Sequence, residues 1–296
     1  MLADRNKRIF SKKIKQLLQW FSISIISFLI ILFLRIFVFT VVNIPTPSME
    51  PTIIRGDQVI VNKLIPGPRI FYNLFSTTNT EKLKWKRLPG WRSIKHNDIL
   101  VFNFPYSKKG KITLDPNIYY IKRCIAIPGD TFNIENGIYK VKGISDTLGN
   151  LINQQLLNEI DTNNLDDNIL QCFPHDSSYN WNIKNFGPLY IPRKGDAIKI
   201  DTANIILYKN LIEYESKKSI LIDKNCIILG DSTISEYIFL KNYYFLAGDY
   251  VFDSIDSRYW GVLPEDHILG KASFVWNTID IHNHKTRWSR FLKTIK

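Results

Sequence analysis

The chain has 296 residues, of which 45% are hydrophobic and 13% aromatic, enough apolar side chain for a packed core and too much for a disordered polypeptide. Its formal charge of +12 suggests a polyanion until it is mapped: residues 1–19 hold +5 and residues 271–296 another +5, leaving +2 for all the rest. Basic ends on a nearly neutral body point to a membrane surface, and no nucleic-acid partner is expected.

Arg5, Lys7, Arg8, Lys12, Lys13 and Lys15 precede a run without formal charge from Gln16 to Leu34, centred on SISIISFLIILFL. Its nineteen residues match the ~20 that a helix needs to cross a hydrocarbon core. A cleaved secretory signal shares the basic flank and apolar run, but cleavage needs small residues afterwards, and here Arg35 and the bulky IFVFTVV follow. The expectation is a basic cytoplasmic segment over 1–19 and a single transmembrane anchor over 20–42, with everything later on the far side of the membrane. Arg35 is expected to snorkel to the outer interface.

Beyond the anchor, short runs rich in Val, Ile, Tyr and Phe recur between Gly, Pro, Asn and Asp: DQVIVNKL, NDILVFNF, NIYYIKRCIAI, FNIENGIYKV, DAIKI, CIILG, YYFLAGD and KASFVW. This rhythm predicts a mainly β, antiparallel fold. The β domain is placed at 43–142 and 225–278. Residues 143–224, Asn-rich and polar with one helix expected near Asn153–Ile160, read as an insertion or cap, and 279–296 as a basic C-terminal tail. Residues 66–95 set Phe71, Tyr72, Leu74, Phe75, Trp85 and Trp91 among Arg and Lys, a composition that suits either a membrane interface or a loop packed on the core. Cys124, Cys172 and Cys226 allow at most one internal disulfide.

Chemistry begins at NIPTPSMEPT, residues 43–52, where Ser48 sits on a proline-bracketed turn just past the anchor. Such a serine is either a turn or helix cap or a nucleophile, and a nucleophile needs a base. His96, His175, His267, His282 and His284 lie in no catalytic context, and there is no G-x-S-x-G elbow. The His282 and His284 pair lacks a third ligand and reads as solvated tail, so no metal is expected; without a G-x-x-x-x-G-K-[ST] loop, no nucleotide cofactor is expected either. Lysine serves as a base when burial favours its neutral amine. Lys122, in YYIKRCIAIPGD, alternates with Tyr120, Cys124 and Ala126 on one strand face, which leaves two readings: a buried amine or a strand-end lysine facing water. Further on, Ser254, Asp256, Ser257 and Arg258 form a polar cluster, which read alone is a hydrogen-bonded turn with an Asp–Arg pair.

Taken in order, PTPSMEPT after an apolar helix, NDILVFNFP, YYIKRCIAIPGD and GD…DSIDSRYWGVLPEDHILGKASFVW resemble the successive boxes of bacterial type I signal peptidase. FPHDSSYNWNIKNFGPLYIPRKG is similar to the long-insert branch of that family. The resemblance implies a membrane-bound serine endopeptidase that removes signal peptides from exported preproteins with a Ser–Lys dyad and no cofactor. It further implies a place in the inner membrane with the β domain on the periplasmic face. Ser48 would be the nucleophile and Lys122 the neutral-amine base, with Ser254 orienting the lysine. Thr46 and the Ser48 amide would form the oxyanion hole, Asp256 and Arg258 a supporting ion pair, and Met49 would shape the substrate pocket. The family's usual G-D-N is Gly248, Asp249 and Tyr250 here, a departure that bears on packing around Ser254.

Overall fold

A computed structural model describes residues 2–71, 85–107, 110–161, 167–223, 226–280 and 285–295. The apolar run forms helix α1 (Leu2–Phe33), and the stretch Lys12–Val38 is long and apolar enough to cross a membrane, with none of its most apolar window buried against the rest of the chain. The helix loosens into a π turn at Leu34–Val38 and the chain then extends as β1 (Phe39–Asn43). FTVVN suits a strand because β-branched and aromatic side chains keep more rotamer freedom on a pleated surface than on a helix.

The strands that follow are β2 (Asp57–Asn62), β3 (Arg69–Phe71), β4 (Trp85–Arg87), β5 (Ile99–Asn103), β6 (Tyr119–Ala126), β7 (Thr131–Glu135) and β8 (Ile138–Val141). After helices α2 (Leu151–Glu159) and α3 (Asp167–Leu170) come β9 (Phe186–Tyr190), β10 (Ala197–Lys199), helix α4 (Ile205–Ser216), β11 (Ile220–Asp223), β12 (Cys226–Leu229), β13 (Ser232–Ile234) and β14 (Glu236–Ile238). The chain closes with β15 (Tyr243–Ala247), helix α5 (Ser257–Trp260), β16 (Leu263–Pro264), β17 (Ile268–Thr278) and β18 (Lys293–Thr294). All eight apolar runs picked out in the sequence carry a strand, and the fold is mainly antiparallel β, as expected.

The principal sheet has the order β1-β2-β17-β5-β6-β15-β16, with β18 added to β17, and its pairings are antiparallel. Register shifts interrupt β17 against β2 and β15 against β6. Each bulge adds local twist, so the sheet curls rather than lying flat. Ile44, Met49, Ile53, Val59, Val61, Ile99 and Ile121 pack inside the curl near β1, while Leu100, Phe102, Cys124 and Leu246 fill a second core. From Ile121 to Ala126 every residue of β6 is buried, so this strand has no wet face.

The Asn-rich stretch is tied into the molecule. β9 pairs with β7, and Phe132, Phe186, Leu189 and the α4 residues Ile205, Tyr208, Leu211 and Ile212 share the largest core. α2 falls where a helix was expected, its start held by the Asn150 side chain, which accepts from the Asn153 N–H. α4 was not expected: IILYKNLIEYES intersperses Ile, Tyr and Asn with its Leu, Lys and Glu helix formers, and the shared apolar core stabilises it. Cys124, Cys172 and Cys226 are all free thiols. The Arg69 guanidinium lies 5.8 Å from the Phe71 ring and 5.7 Å from the Trp85 ring, whereas Trp91 is open to solvent. Tyr72, Leu74, Phe75, His282 and His284 lie outside the described residues.

Candidate active site

The segment from β1 to β2 fixes Ser48. The Ile44 N–H bonds the Asp57 carbonyl at 2.9 Å and the Gly56 N–H bonds the Ile44 carbonyl at 2.9 Å, extending the β1–β2 ladder into the loop. Two tight turns follow, with Glu50 N–H on the Pro47 carbonyl at 2.8 Å and Ile53 N–H on the Met49 carbonyl at 3.0 Å. Pro45 and Pro47 restrict φ on either side of Thr46. Met49 and Ile53 are fully buried in the core below, so the turn is pinned from beneath and Ser48 faces the opposite way.

There Ser48 meets Lys122. The lysine stands opposite Leu100 in the β5–β6 pairing, is 3% exposed, and donates from Nζ to Ser48 Oγ at 2.5 Å. The strand-end reading of Lys122 fails because β6 is enclosed on both faces, so alternation carries no information about solvent there. Burial pushes the ammonium down to about 8, an effect that Asp256 opposes and Arg258 reinforces. About a tenth of an amine so placed is neutral at pH 7, whereas an ordinary lysine is neutral about once in 2,500.

Behind the pair lies the Asp256 cluster. Asp256 and Arg258 are fully buried and joined by two parallel bonds of 2.8 Å, Arg258 Nε to Oδ1 and Nη2 to Oδ2. Burial works to raise the Asp256 carboxyl, but Arg258 overrides it and holds it below its ordinary range. The carboxylate also accepts from Ser254 Oγ at 2.7 Å and from the Gly248 N–H at 2.9 Å. Gly248 sits where no side chain fits: a Cβ there would fall 2.2 Å from Ser254 Oγ and 2.5 Å from the Ser48 carbonyl oxygen. Glycine therefore lets the Ser254 and Ser48 segments approach each other.

The next two residues complete the support. Tyr250 donates its backbone N–H to the Ser48 carbonyl at 3.1 Å, a bond any non-proline residue supplies, and its half-exposed ring packs on Phe252. The departure from G-D-N thus leaves the backbone contact to Ser48 in place. Asp249 is held by Arg123 Nε and Nη2 at 2.7 and 2.6 Å and by Thr52 Oγ1 at 2.5 Å, and its carbonyl accepts from Asn153 Nδ2 of α2 at 2.7 Å. Sequence reasoning did not single out Arg123, Asp249, Thr52 or Asn153; only the adjacency of Arg123 to Lys122 and of Asp249 to Gly248 signalled the first two.

Ser48 and Lys122 open onto a cleft of about 390 Å³ lined on one side by residues 42–47 and on the other by Tyr119, Tyr120 and Ile121, with Asp253 and Ile255 at the end. Thr46 is exposed on its wall, whereas Met49 lies beneath the turn in the core and is not among the lining residues. Among the described residues no group of three or more His, Cys, Asp and Glu is placed to hold a metal ion.

A serine hydroxyl buried against a lysine at the edge of a cleft, on a curled antiparallel sheet, is the arrangement of a serine hydrolase. Comparison with known proteins narrows this: the chain belongs to the family described as Signal peptidase, peptidase S26, whose model matches residues 17–277. Among curated relatives, the Signal peptidase I of Buchnera aphidicola subsp. Acyrthosiphon pisum is 29% identical over 282 residues, covering 94% of this chain and 78% of its own. That of Buchnera aphidicola subsp. Baizongia pistaciae is 27% identical, covering 92% and 80%, and that of Aquifex aeolicus 26% identical, covering 88% and 83%. Membership of this family makes the chain a serine endopeptidase, a hydrolase of signal peptide processing.

Proposed function

We propose that this enzyme cuts signal peptides from exported preproteins with Ser48 as nucleophile and Lys122 as general base. The observation that carries the reading is the 2.5 Å contact between Lys122 Nζ and Ser48 Oγ in a buried setting that favours the neutral amine. The substrate segment lies extended in the cleft between residues 42–48 and 119–122, its backbone adding to strand edges and its alternate side chains entering the walls. Lys122 takes the Ser48 proton as Oγ attacks the scissile carbonyl. The Ser48 N–H and the Thr46 hydroxyl bond the developing oxyanion. The Lys122 ammonium then protonates the departing amine, which leaves as the new N-terminus of the mature protein. Water enters, gives a proton to Lys122 and bonds to the acyl carbon; the bond to Ser48 Oγ breaks, and Oγ takes the proton back from the Lys122 ammonium as the acid leaves. Ser254, whose own proton is committed to Asp256, offers its lone pairs to orient the amine, and the Asp256–Arg258 pair holds Ser254 in turn. Met49 shapes the pocket from below by fixing the turn.

The apolar helix serves as the anchor, with the basic N-terminus in the cytoplasm and the β domain on the outer face of the inner membrane. Its bilayer also holds the substrate's apolar signal helix, so confinement supplies proximity. Incubating the detergent-solubilised chain with a preprotein, and reading the products by mass spectrometry, gives one cut after Ala-X-Ala. Phe at the final position stops it, since a shallow pocket rejects by clash rather than by the ~1 to 3 kcal/mol that one methylene is worth. Equal cleavage of the Phe substrate removes the small-pocket reading.

A further inference from the structure

No slack separates the membrane helix from the nucleophile. β1 is paired with β2 along its whole length, from Phe39↔Asn62 to Asn43↔Gln58, and Ile44 prolongs the ladder. Ser48 follows four residues later, itself buried and inside the first of the two turns. Whatever fixes the end of the helix against the sheet therefore fixes Ser48 relative to the bilayer.

The end of a helix leaves carbonyls without helical partners. Here the chain swings out to a strand at Phe39, whose N–H returns to the Leu34 carbonyl. The carbonyls of Arg35 and Ile36 fall beyond it. Lys63, the first residue after β2, donates its Nζ to both, at 2.8 and 3.2 Å, and its backbone N–H bonds the Val38 carbonyl at 2.8 Å. A cation at a helix C-terminus also meets the negative end of the helix dipole. One side chain at the rim of the catalytic sheet thus holds the last turn of the membrane helix.

We propose that Lys63 is a positioning residue that locks the membrane helix to the catalytic sheet, setting the height of Ser48 above the bilayer and so the distance from its apolar helix at which a preprotein is cut. The proposal rests on the membrane-anchored Ser48–Lys122 reading above. Confinement in a bilayer favours reaction only when the bound geometry is held, and a small misplacement costs up to ~100-fold. The thirteen residue steps from Arg35 to Ser48, loosely tethered, would span up to ~45 Å and sample many heights. The locked route samples one.

The test uses the full chain in lipid vesicles and preproteins carrying one Ala-X-Ala cut at stepped distances beyond the apolar helix, alongside a soluble peptide with the same cut. The wild-type protein shows a sharp optimum in spacing. Lys63→Met, which keeps the stem and loses the donor, broadens that optimum and lowers the rate at its peak about tenfold, while the soluble peptide is cut within about twofold of the wild-type rate. Lys63→Arg, which keeps a donor, restores the sharp profile. A wild-type enzyme indifferent to spacing, an unchanged profile in Lys63→Met, or an equal loss on peptide and preprotein each overturns the proposal. Failure of the Ser48–Lys122 reading shows separately, as cleavage of the soluble peptide by Ser48→Ala.

Discussion

Lys122→Ala and Ser48→Ala each lose at least about a thousandfold in preprotein cleavage, and the double variant is no slower than either single one. General base catalysis alone is worth ~10² to 10⁴, and a hydroxyl without a proton acceptor hardly reacts, so either loss removes the whole unit. Additive losses would mean two independent contributions. Lys122→Arg is as inactive as Lys122→Ala, because guanidinium keeps its proton over the whole working range. The variants remain folded: Ser48 adds one hydroxyl to a turn pinned by Met49 and Ile53, and Lys122→Ala removes a buried cation from a strand tied on both sides. Thermal unfolding near the wild-type midpoint beside lost activity confirms that chemistry, not folding, was removed.

Asp256→Ala unfolds the protein far more readily, by about 3 to 5 kcal/mol in a denaturant titration, because it leaves Arg258 as an unpaired charge in a dry site. Asp256 and Arg258 are both 0% exposed, and the carboxylate also accepts hydrogen bonds from Ser254 and the Gly248 amide, so three groups lose a partner at once. The double variant Asp256→Leu/Arg258→Met recovers much of that stability, since an apolar pair of similar volume avoids burying charge. It does not recover cleavage, because Ser254 and the Gly248 amide still lack their acceptor beside Ser48. A double variant as active as wild type would show that the pair serves packing only.

Much of this was legible in the sequence. Short β-rich runs between turn residues are a local signal, and each became a strand. Ser48 and Lys122 read alone each had a bland alternative, a capped turn and a strand-end amine facing water, and it was the resemblance carried by the ordered boxes that put them forward as nucleophile and base. What stayed hidden is non-local. The burial of Lys122 depends on β5 and β15 closing both faces of β6, which period-two alternation does not report. The grip of Asn153 on the Asp249 carbonyl joins residues 96 apart and leaves no trace in either neighbourhood. α4 sets Ile, Tyr and Asn residues among its Leu, Lys and Glu helix formers and is stabilised by the core it completes, so local propensity does not single it out. Met49, which the family pattern associates with the substrate pocket, has its whole side chain below the turn, so any effect on the pocket runs through the Ser48 segment, a link that sequence does not display.

The most direct measurement is kcat/KM against pH on a soluble peptide bearing the cut, with no titrating group of its own between pH 5 and 10. With Lys122 as the proposed base the neutral amine is the reactive form, so activity is expected to rise with pH, with a midpoint that burial sets at about 8. Two units below that midpoint only ~1% of the amine is neutral, so the rate climbs about tenfold per unit from pH 5 to 7 and levels above 9. A chelator leaves the curve unchanged. A rising limb with its midpoint near 8 is the expected result. A midpoint below 7, which marks a histidine or carboxylate base, or a flat profile across pH 7 to 9, would contradict the assignment of Lys122 as the base for Ser48.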